Sequence, residues 1–319
     1  MKALVLDGQR AIACQDRPVP DPGGECRIRV RMAGICGTDL QLLEGYAGFR
    51  GIPGHEFVGV VDAADSSDGA GWIGKRVVGE INIGCGRCEW CDSGVREHCV
   101  SRSVLGIRGR NGAFAEFLTL PAGNLHEVPD TLDDETAVFA EPVAAACRIL
   151  EQVDLTDRAT VAVVGDGRMG LLAAQVLRTV TRGVTVFGRH DDKLEIGRSL
   201  GLTTRRTDAL STVRFDVVVD ATGRPEGLTR ALDLVRPRGT IVMKSTFHGE
   251  TAMAPWPLVV DEVTLVGSRC GPFRHALALL AAGAVSVKPL VARVLPLNEF
   301  ESAFAGARRT LKVLFDLRQ

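Results

Sequence analysis

An excess of charge of either sign, a long apolar run and internal repetition are all missing from this 319-residue chain. Lysine and arginine number 38 against 39 aspartate and glutamate, a net charge of −1, so no basic field argues for a nucleic acid or an anionic membrane as partner. No apolar stretch reaches the roughly 20 residues that a membrane-spanning helix needs. The opening Met1-Lys2-Ala3-Leu4-Val5-Leu6-Asp7 is too short in apolar residues for a secretory signal. The single tyrosine, Tyr46, is followed four residues later by Arg50, which excludes reductase chemistry built on a Tyr-x3-Lys pair. Nine cysteines, an odd number without a disulfide-like framework, point to a reducing compartment. A cytoplasmic protein is expected.

What is present begins with four of those cysteines. Cys85-x2-Cys88-x2-Cys91-x7-Cys99 has the spacing at which four thiolates wrap one tetrahedral Zn²⁺. Gly84, Gly86 and Gly94 supply the tight turns such a loop needs. A closed four-sulfur site leaves no coordination position for chemistry, so this zinc is read as structural. Around it, Arg27 to Met32, Phe57 to Val61, Arg76 to Val78 and Phe114 to Leu120 read as short strands of an irregular β-rich domain.

From about Val143 the pattern changes. Val/Ile-rich strands at Thr160–Val164, Val184–Phe187, Phe215–Val219 and Thr240–Met243 alternate with helical stretches at Leu171–Val180 and Lys193–Leu200. That alternation predicts a parallel sheet covered on both faces. A helix near Val143–Val153 joins it to the first domain.

Between the first of these strands and its helix lies Gly165-Asp166-Gly167-Arg168-Met169-Gly170. In this strand–turn–helix context G-x-G-x-x-G is a dinucleotide fingerprint, whose glycines permit the turn, the approach of a pyrophosphate and helix–strand packing. The second strand normally ends in an acid that binds the adenosine ribose; here it ends Gly188-Arg189-His190. Gly188 leaves room and Arg189, with His190, supplies positive charge, which suits a 2′-phosphate. NADP(H) is therefore expected over NAD(H).

Gly34-Ile35-Cys36-Gly37-Thr38-Asp39-Leu40 and Gly54-His55-Glu56-Phe57-Val58-Gly59 complete a set. With the cysteine loop, the glycine fingerprint, Gly112-Ala113-Phe114-Ala115-Glu116-Phe117 and Ala140-Glu141-Pro142, they resemble the zinc-containing medium-chain dehydrogenase/reductase family over essentially the whole chain. The closest branch in motif is that of the polyol, glucose and threonine dehydrogenases. The resemblance implies an α/β chain with a GroES-like β-rich catalytic domain and a Rossmann doubly wound cofactor domain. The expected boundaries are 1–143 with 273–319 for the first, carrying the structural zinc loop 85–99, and 144–272 for the second.

The resemblance also implies a second, catalytic zinc in the cleft between the domains, making two per subunit. Cys36 and His55 match two ligands; Glu141 matches the third position, and Glu56 stands as a competing carboxylate. Asp39 matches the acid that orients the ligand histidine, and Thr38 the hydroxyl that relays the alcohol proton. Substrate oxygen on zinc and hydride exchange with the nicotinamide follow. Arg269 resembles an arginine that reaches the cofactor. Gln41 stands where some relatives have a relay histidine, and Asp65 where a small residue is usual. The substrate is a small-molecule alcohol or carbonyl compound, either a polyol or sugar or a simple primary or secondary alcohol, with Tyr46, Phe49 and Phe273 as candidate pocket residues. A homodimer or homotetramer joined through the strand Val263–Val266 is expected. The alternative is a non-catalytic NADP(H)-binding sensor or structural protein on the same fold.

Overall fold

Alternation builds the first strands. The computed structural model describes residues 1–8, 12–208, 213–246, 250–251 and 253–318. β1 (Lys2–Leu6) and β2 (Ile12–Asp16) pair antiparallel. In β3 (Cys26–Gly34), Cys26, Ile28, Val30 and Met32 are buried while Arg27, Arg29 and Arg31 turn outward, the two-residue period of a half-covered strand. α1 (Gly37–Leu43), β4 (Glu56–Ala64), α2 (Ser67–Ala70) and β5 (Arg76–Gly79) follow. β6 (Asn82–Ile83) and β7 (Ser103–Val104) pair at the two ends of the cysteine loop, which carries α3 (Glu89–Asp92). β8 (Phe117–Leu120), β9 (Leu125–Glu127) and α4 (Asp134–Ala137) lead to α5 (Ala140–Gln152).

Runs rich in apolar residues build most of the second set: β10 (Thr160–Val164), β11 (Gly183–Gly188), β13 (Phe215–Asp220), β14 (Val235–Met243) and β15 (Thr264–Gly267), with the polar edge strand β12 (Thr203–Arg206) beside β11. All pair parallel, in the order β12-β11-β10-β13-β14-β15. That is the 3-2-1-4-5-6 order of a dinucleotide-binding sheet. α6 (Arg168–Leu177) starts directly on the glycine turn; α7 (Asp191–Ser199) and α8 (Glu226–Leu234) are the next crossovers, followed by α9 (Trp256–Val260) and α10 (Phe273–Ala281).

The chain then returns through β16 (Val291–Pro296), α11 (Phe300–Ala307) and β17 (Lys312–Asp316). β17 pairs with β3, so the C-terminus completes a seven-stranded sheet ordered β16-β17-β3-β4-β5-β9, with β8 on β3. Its core centres on Phe114, whose ring meets Phe315 edge-on at 5.1 Å and Phe304 at 6.0 Å. Each such ring, fully buried, contributes about 1.5–3 kcal/mol.

Two units result, Met1–Glu141 with Val291–Gln319, and Pro142–Leu290. The sequence reading puts the return at 273, but α10 buries Phe273, Ala276, Leu277 and Leu280 in the second unit. Gln175 of α6 fixes the following turn, donating to the Ser286 carbonyl at 3.1 Å and accepting from its N–H at 2.8 Å. The first unit therefore resumes only at Val291. No helix among the described residues is long and apolar enough to cross a membrane.

Candidate active site

The cysteine loop brings its four sulfurs together. The sulfurs of Cys85, Cys88, Cys91 and Cys99 all lie within 4.8 Å of one another, and none of the nine cysteines is in a disulfide. Backbone N–H groups of Cys85 and Gly86 point at the sulfurs of Cys99 and Cys91, each at 3.4 Å. The amide of Cys85 and the neighbouring thiols pull the Cys99 thiol down to about 7, toward the thiolate form that binds metal. Gly86 at φ 72° and Gly94 at φ 77° make left-handed turns that a side chain would strain.

A second cluster joins Cys36, His55 and Glu56, whose ligand atoms also lie within 4.8 Å of one another. Cys36 precedes α1 and donates its N–H to Asp39 Oδ2 at 2.7 Å. The other oxygen of Asp39, itself buried, lies 3.4 Å from His55 Nδ1. Burial opposes a charge on His55, but the charges of Asp39 and Cys36 beside it hold the imidazole well above its ordinary range. Gly54 at φ 96° makes the approach possible, because a Cβ there would stand 2.5 Å from the Phe114 ring. Thr38 Oγ1 lies 3.9 Å from Cys36 Sγ. Glu141, second in α5 and half-buried, is outside this close group.

Glu56 has a partner that sequence reading missed. Lys312, first residue of β17, is fully buried and ion-pairs with Glu56 through Nζ. The same Nζ donates to the Ile35 carbonyl at 3.3 Å and sits 5.4 Å from the centre of the Phe139 ring. Burial pushes the Lys312 ammonium down to about 8, against the pull of Cys36 and Asp39. Gly34 makes room, since a Cβ there would come within 2.6 Å of both Lys312 and Glu56. Glu56 Oε1 has no hydrogen-bond partner among the described residues. The sequence did carry a signal: a lysine interrupts the apolar run Leu311-Lys312-Val313-Leu314-Phe315.

In the second unit a cavity of about 360 Å³ opens at the glycine turn. Gly165, Gly167, Gly188, Arg189 and His190 line it; Arg168, Met169, Gly170 and Arg269 do not. Gly165 takes φ 125°, and a Cβ on Gly167 would meet nothing within 4 Å, so the turn leaves space above the start of α6. Gly170 packs so closely on the Gly165 carbonyl that only glycine fits. Arg269 instead lies after β15, with Nη1 3.8 Å from Cys270 Sγ.

Asp166 is the unexpected member of this wall. It fills the space beside Gly188, where a Cβ would come within 2.5 Å of its side chain. Lys193, Arg224 and Arg230 also line the cavity, so cationic side chains surround one buried carboxylate. Of the aromatic pocket candidates, Phe49 is a core residue packed with Leu6 and Leu42, Phe273 is buried in the second unit, and Tyr46 is exposed.

Two families match the chain: the alcohol dehydrogenase GroES-like domain over residues 22–130 and the glucose dehydrogenase C-terminus over residues 134–317. An L-threonine 3-dehydrogenase of Anaeromyxobacter sp. (strain Fw109-5) is 31% identical, over 99% of this chain and 99% of the relative. A sorbitol dehydrogenase of Halalkalibacterium halodurans is 29% identical over 98% of each chain. The solved structure of short chain alcohol dehydrogenase RspB from Escherichia coli CFT073, complexed with NADH, superposes with a TM-score of 0.92 at 26% identity, covering 99% of both chains. A Sinorhizobium meliloti 1021 structure bound to NADP gives 0.91 at 29% identity, over 99% of this chain and 98% of that one.

Proposed function

Because the chain belongs to the zinc-dependent medium-chain dehydrogenase/reductase family, we infer that this oxidoreductase moves a hydride between a small-molecule alcohol and NADP(H) at a zinc held by Cys36, His55 and a carboxylate. The observation that carries this reading is the cluster of one thiol, one imidazole and one carboxylate, with Glu56 Oε1 left unpartnered beside them. Such a donor set suits zinc with a position open for substrate. The carboxylate is Glu56, which stands in the cluster, or Glu141 at the start of α5.

When bound, zinc supplies Lewis acidity toward the substrate oxygen and the nicotinamide exchanges the hydride. The chain's own residues do the rest. Asp39 faces His55 Nδ1 and fixes the ring, leaving Nε2 for the metal. Thr38, beside Cys36, takes the alcohol proton in oxidation and returns it in reduction. Lys312 supplies the counter-charge that keeps Glu56 ionised inside the domain. In the loop, Cys85, Cys88, Cys91 and Cys99 hold a second, structural zinc.

Support for NADP(H) over NAD(H) comes from Arg189, His190 and Lys193 around the cavity, where a 2′-phosphate finds charge-assisted donors. A homodimer through β15 is supported by the exposed apolar residues Trp256, Val259, Val260 and Leu265 at this end of the sheet.

The test is an initial-rate screen on zinc-replete protein, offering NADP⁺ or NAD⁺ with polyols, sugars, L-threonine and simple primary and secondary alcohols. Turnover with a preference for NADP⁺ is the expected result. No turnover across the panel with both zinc sites loaded would favour the non-catalytic role instead.

A further inference from the structure

One buried carboxylate belongs to neither metal cluster and has no part in the chemistry above. Asp220 closes β13 and is fully buried. Its Oδ1 accepts the Thr222 N–H at 3.0 Å, the Thr222 hydroxyl at 2.8 Å and the Ser245 hydroxyl at 2.9 Å. Those hydroxyls accept the next two backbone N–H groups: Gly223 donates to Ser245 Oγ at 2.8 Å and Arg224 to Thr222 Oγ1 at 3.2 Å. Three successive N–H groups are thereby gathered onto a single carboxylate and two hydroxyls. The Ala221 N–H before them donates to the Val164 carbonyl at 2.9 Å.

Successive N–H groups that converge at a turn form a cradle for an anion, and a helix start beside them adds to it. Here the chain's own carboxylate fills the cradle, and α8 begins directly on it. A Cβ on Gly227 would stand 2.3 Å from Asp220 Oδ1 and 2.2 Å from Thr222 Oγ1. The start of α6 is built the other way. Gly167 caps it without a side-chain hydrogen bond, and a Cβ there would meet nothing within 4 Å. The cavity therefore borders two cradles, one open at α6 and one plugged at α8. Gly167 and Gly227 both line it, with Ala221, Thr222 and Arg224 between them, whereas Asp220 and Ser245 stand behind the wall.

We propose that Asp220 and Ser245 are positioning residues for nucleotide binding. The carboxylate plugs the cradle at α8 and the Ser245 hydroxyl pins Gly223, so the turn 221–224 presents a fixed wall with its N–H groups withdrawn. Phosphate groups of a ligand are left with the open start of α6, which gives the nucleotide one direction in the cavity. This rests on the reading of the cavity as part of a nicotinamide dinucleotide site.

A plain helix cap is built differently. Pro225 holds the capping position of α8 and makes no side-chain hydrogen bond there, while Asp220 reaches the turn from the end of the preceding strand. Ser245 arrives from the far side, just beyond β14, a strand that contributes no residue to the cavity lining. The second oxygen of Asp220 is buried with no hydrogen-bond partner among the described residues, so the hydrogen bonding of this carboxylate is directed wholly at the turn and at Ser245.

The experiment is calorimetric titration of the full-length protein with NADP⁺ and with 5′-AMP, for the native chain, Ser245→Ala, Ser245→Thr and Asp220→Asn, with a melting temperature for each. Ser245→Ala leaves the Gly223 N–H without its acceptor and is expected to weaken 5′-AMP about tenfold, the size of one hydrogen bond. The melting temperature should change little, because that contact is solvent-exposed. Ser245→Thr keeps the hydroxyl and is expected to restore the native affinity, which a role in packing alone would not produce. Asp220→Asn unplugs the cradle, so inorganic pyrophosphate should displace 5′-AMP at an about fivefold lower concentration than from the native chain. Native affinity for 5′-AMP in Ser245→Ala, or unchanged pyrophosphate competition in folded Asp220→Asn, would overturn the proposal alone. Binding of neither NADP⁺ nor 5′-AMP to the native chain would sink the cavity assignment and the proposal with it.

Discussion

The molecule holds two cysteine-bearing clusters in one unit, and they are built in opposite ways. The loop takes all four sulfurs from a single stretch between Cys85 and Cys99, near the surface, with backbone N–H groups as their support. The Cys36 cluster takes its donors from the start of α1 and the start of β4, is largely buried, and mixes thiol, imidazole and carboxylate. It also contains its own cation, Lys312, from the far end of the chain. A four-thiolate set satisfies a tetrahedral ion and stops there, whereas a mixed set with an internal counter-charge keeps a carboxylate ionised and a coordination position free. On the proposed function, the first design holds shape and the second leaves room for substrate.

The sharpest way to break this contrast is to remove one sulfur from each cluster. Cys36→Ala should lower kcat/KM by at least about 10³-fold, since the Lewis acid is lost with its ligand. Zinc content should fall from two to one per chain, with the melting temperature little changed. Cys88→Ser should also lose one zinc, yet retain activity in whatever fraction stays folded. Metal analysis beside initial rates decides it. Equal activity losses per folded molecule from the two substitutions would erase the division of labour between the sites.

How legible these sites were follows from how their parts are spaced. The loop was readable because its ligands recur within 15 residues and the geometry is local. The glycine turn was readable for the same reason, and the parallel sheet because β10, β11, β13 and β14 each carry a Val/Ile-rich stretch. Cys36 and His55 were picked out by resemblance, not by spacing, since nothing in the eighteen intervening positions says that they meet. Lys312 was missed because its partner Glu56 lies across the β17–β3–β4 pairing, a contact that only the sheet order creates. Asp166 was missed because its role depends on the absence of a side chain at Gly188, 22 positions on. The place where the chain returns to the first unit was misjudged because α10 is amphipathic and would read the same in either unit.

Next in size comes the internal cation. Lys312→Met removes the charge while keeping an unbranched apolar stem, and leaves the Glu56 carboxylate buried without its partner. Loss of one member of a buried pair costs about 3–5 kcal/mol. Metal-free protein should show that loss in chemical denaturation. With zinc loaded at the Cys36 cluster the loss should shrink, because the ion then faces the same carboxylate. The contrast with the loop is sharp, for among the described residues Lys312 is the buried lysine and it lies at the Cys36 cluster, not at the four sulfurs. An identical destabilisation with and without zinc would mean that Lys312 supports the sheet rather than the metal site.

The smallest effect is expected at the loop itself. On the proposed function a metal ties the four sulfurs, which lie within 4.8 Å of one another, and loss of one ligand loosens that tie. Cys91→Ser should therefore lower the melting temperature by about 5 °C, which corresponds to about 2 kcal/mol for a unit of this size. The loop lies between β6 and β7 rather than in the seven-stranded sheet, so the core around Phe114 should stay folded. Limited proteolysis reads this directly: new cleavage should fall between Cys85 and Cys99, with the rest of the unit resistant. Cleavage spread across the whole unit would show that the loop zinc supports the core as well, and the two clusters would then differ in chemistry but not in what they hold up.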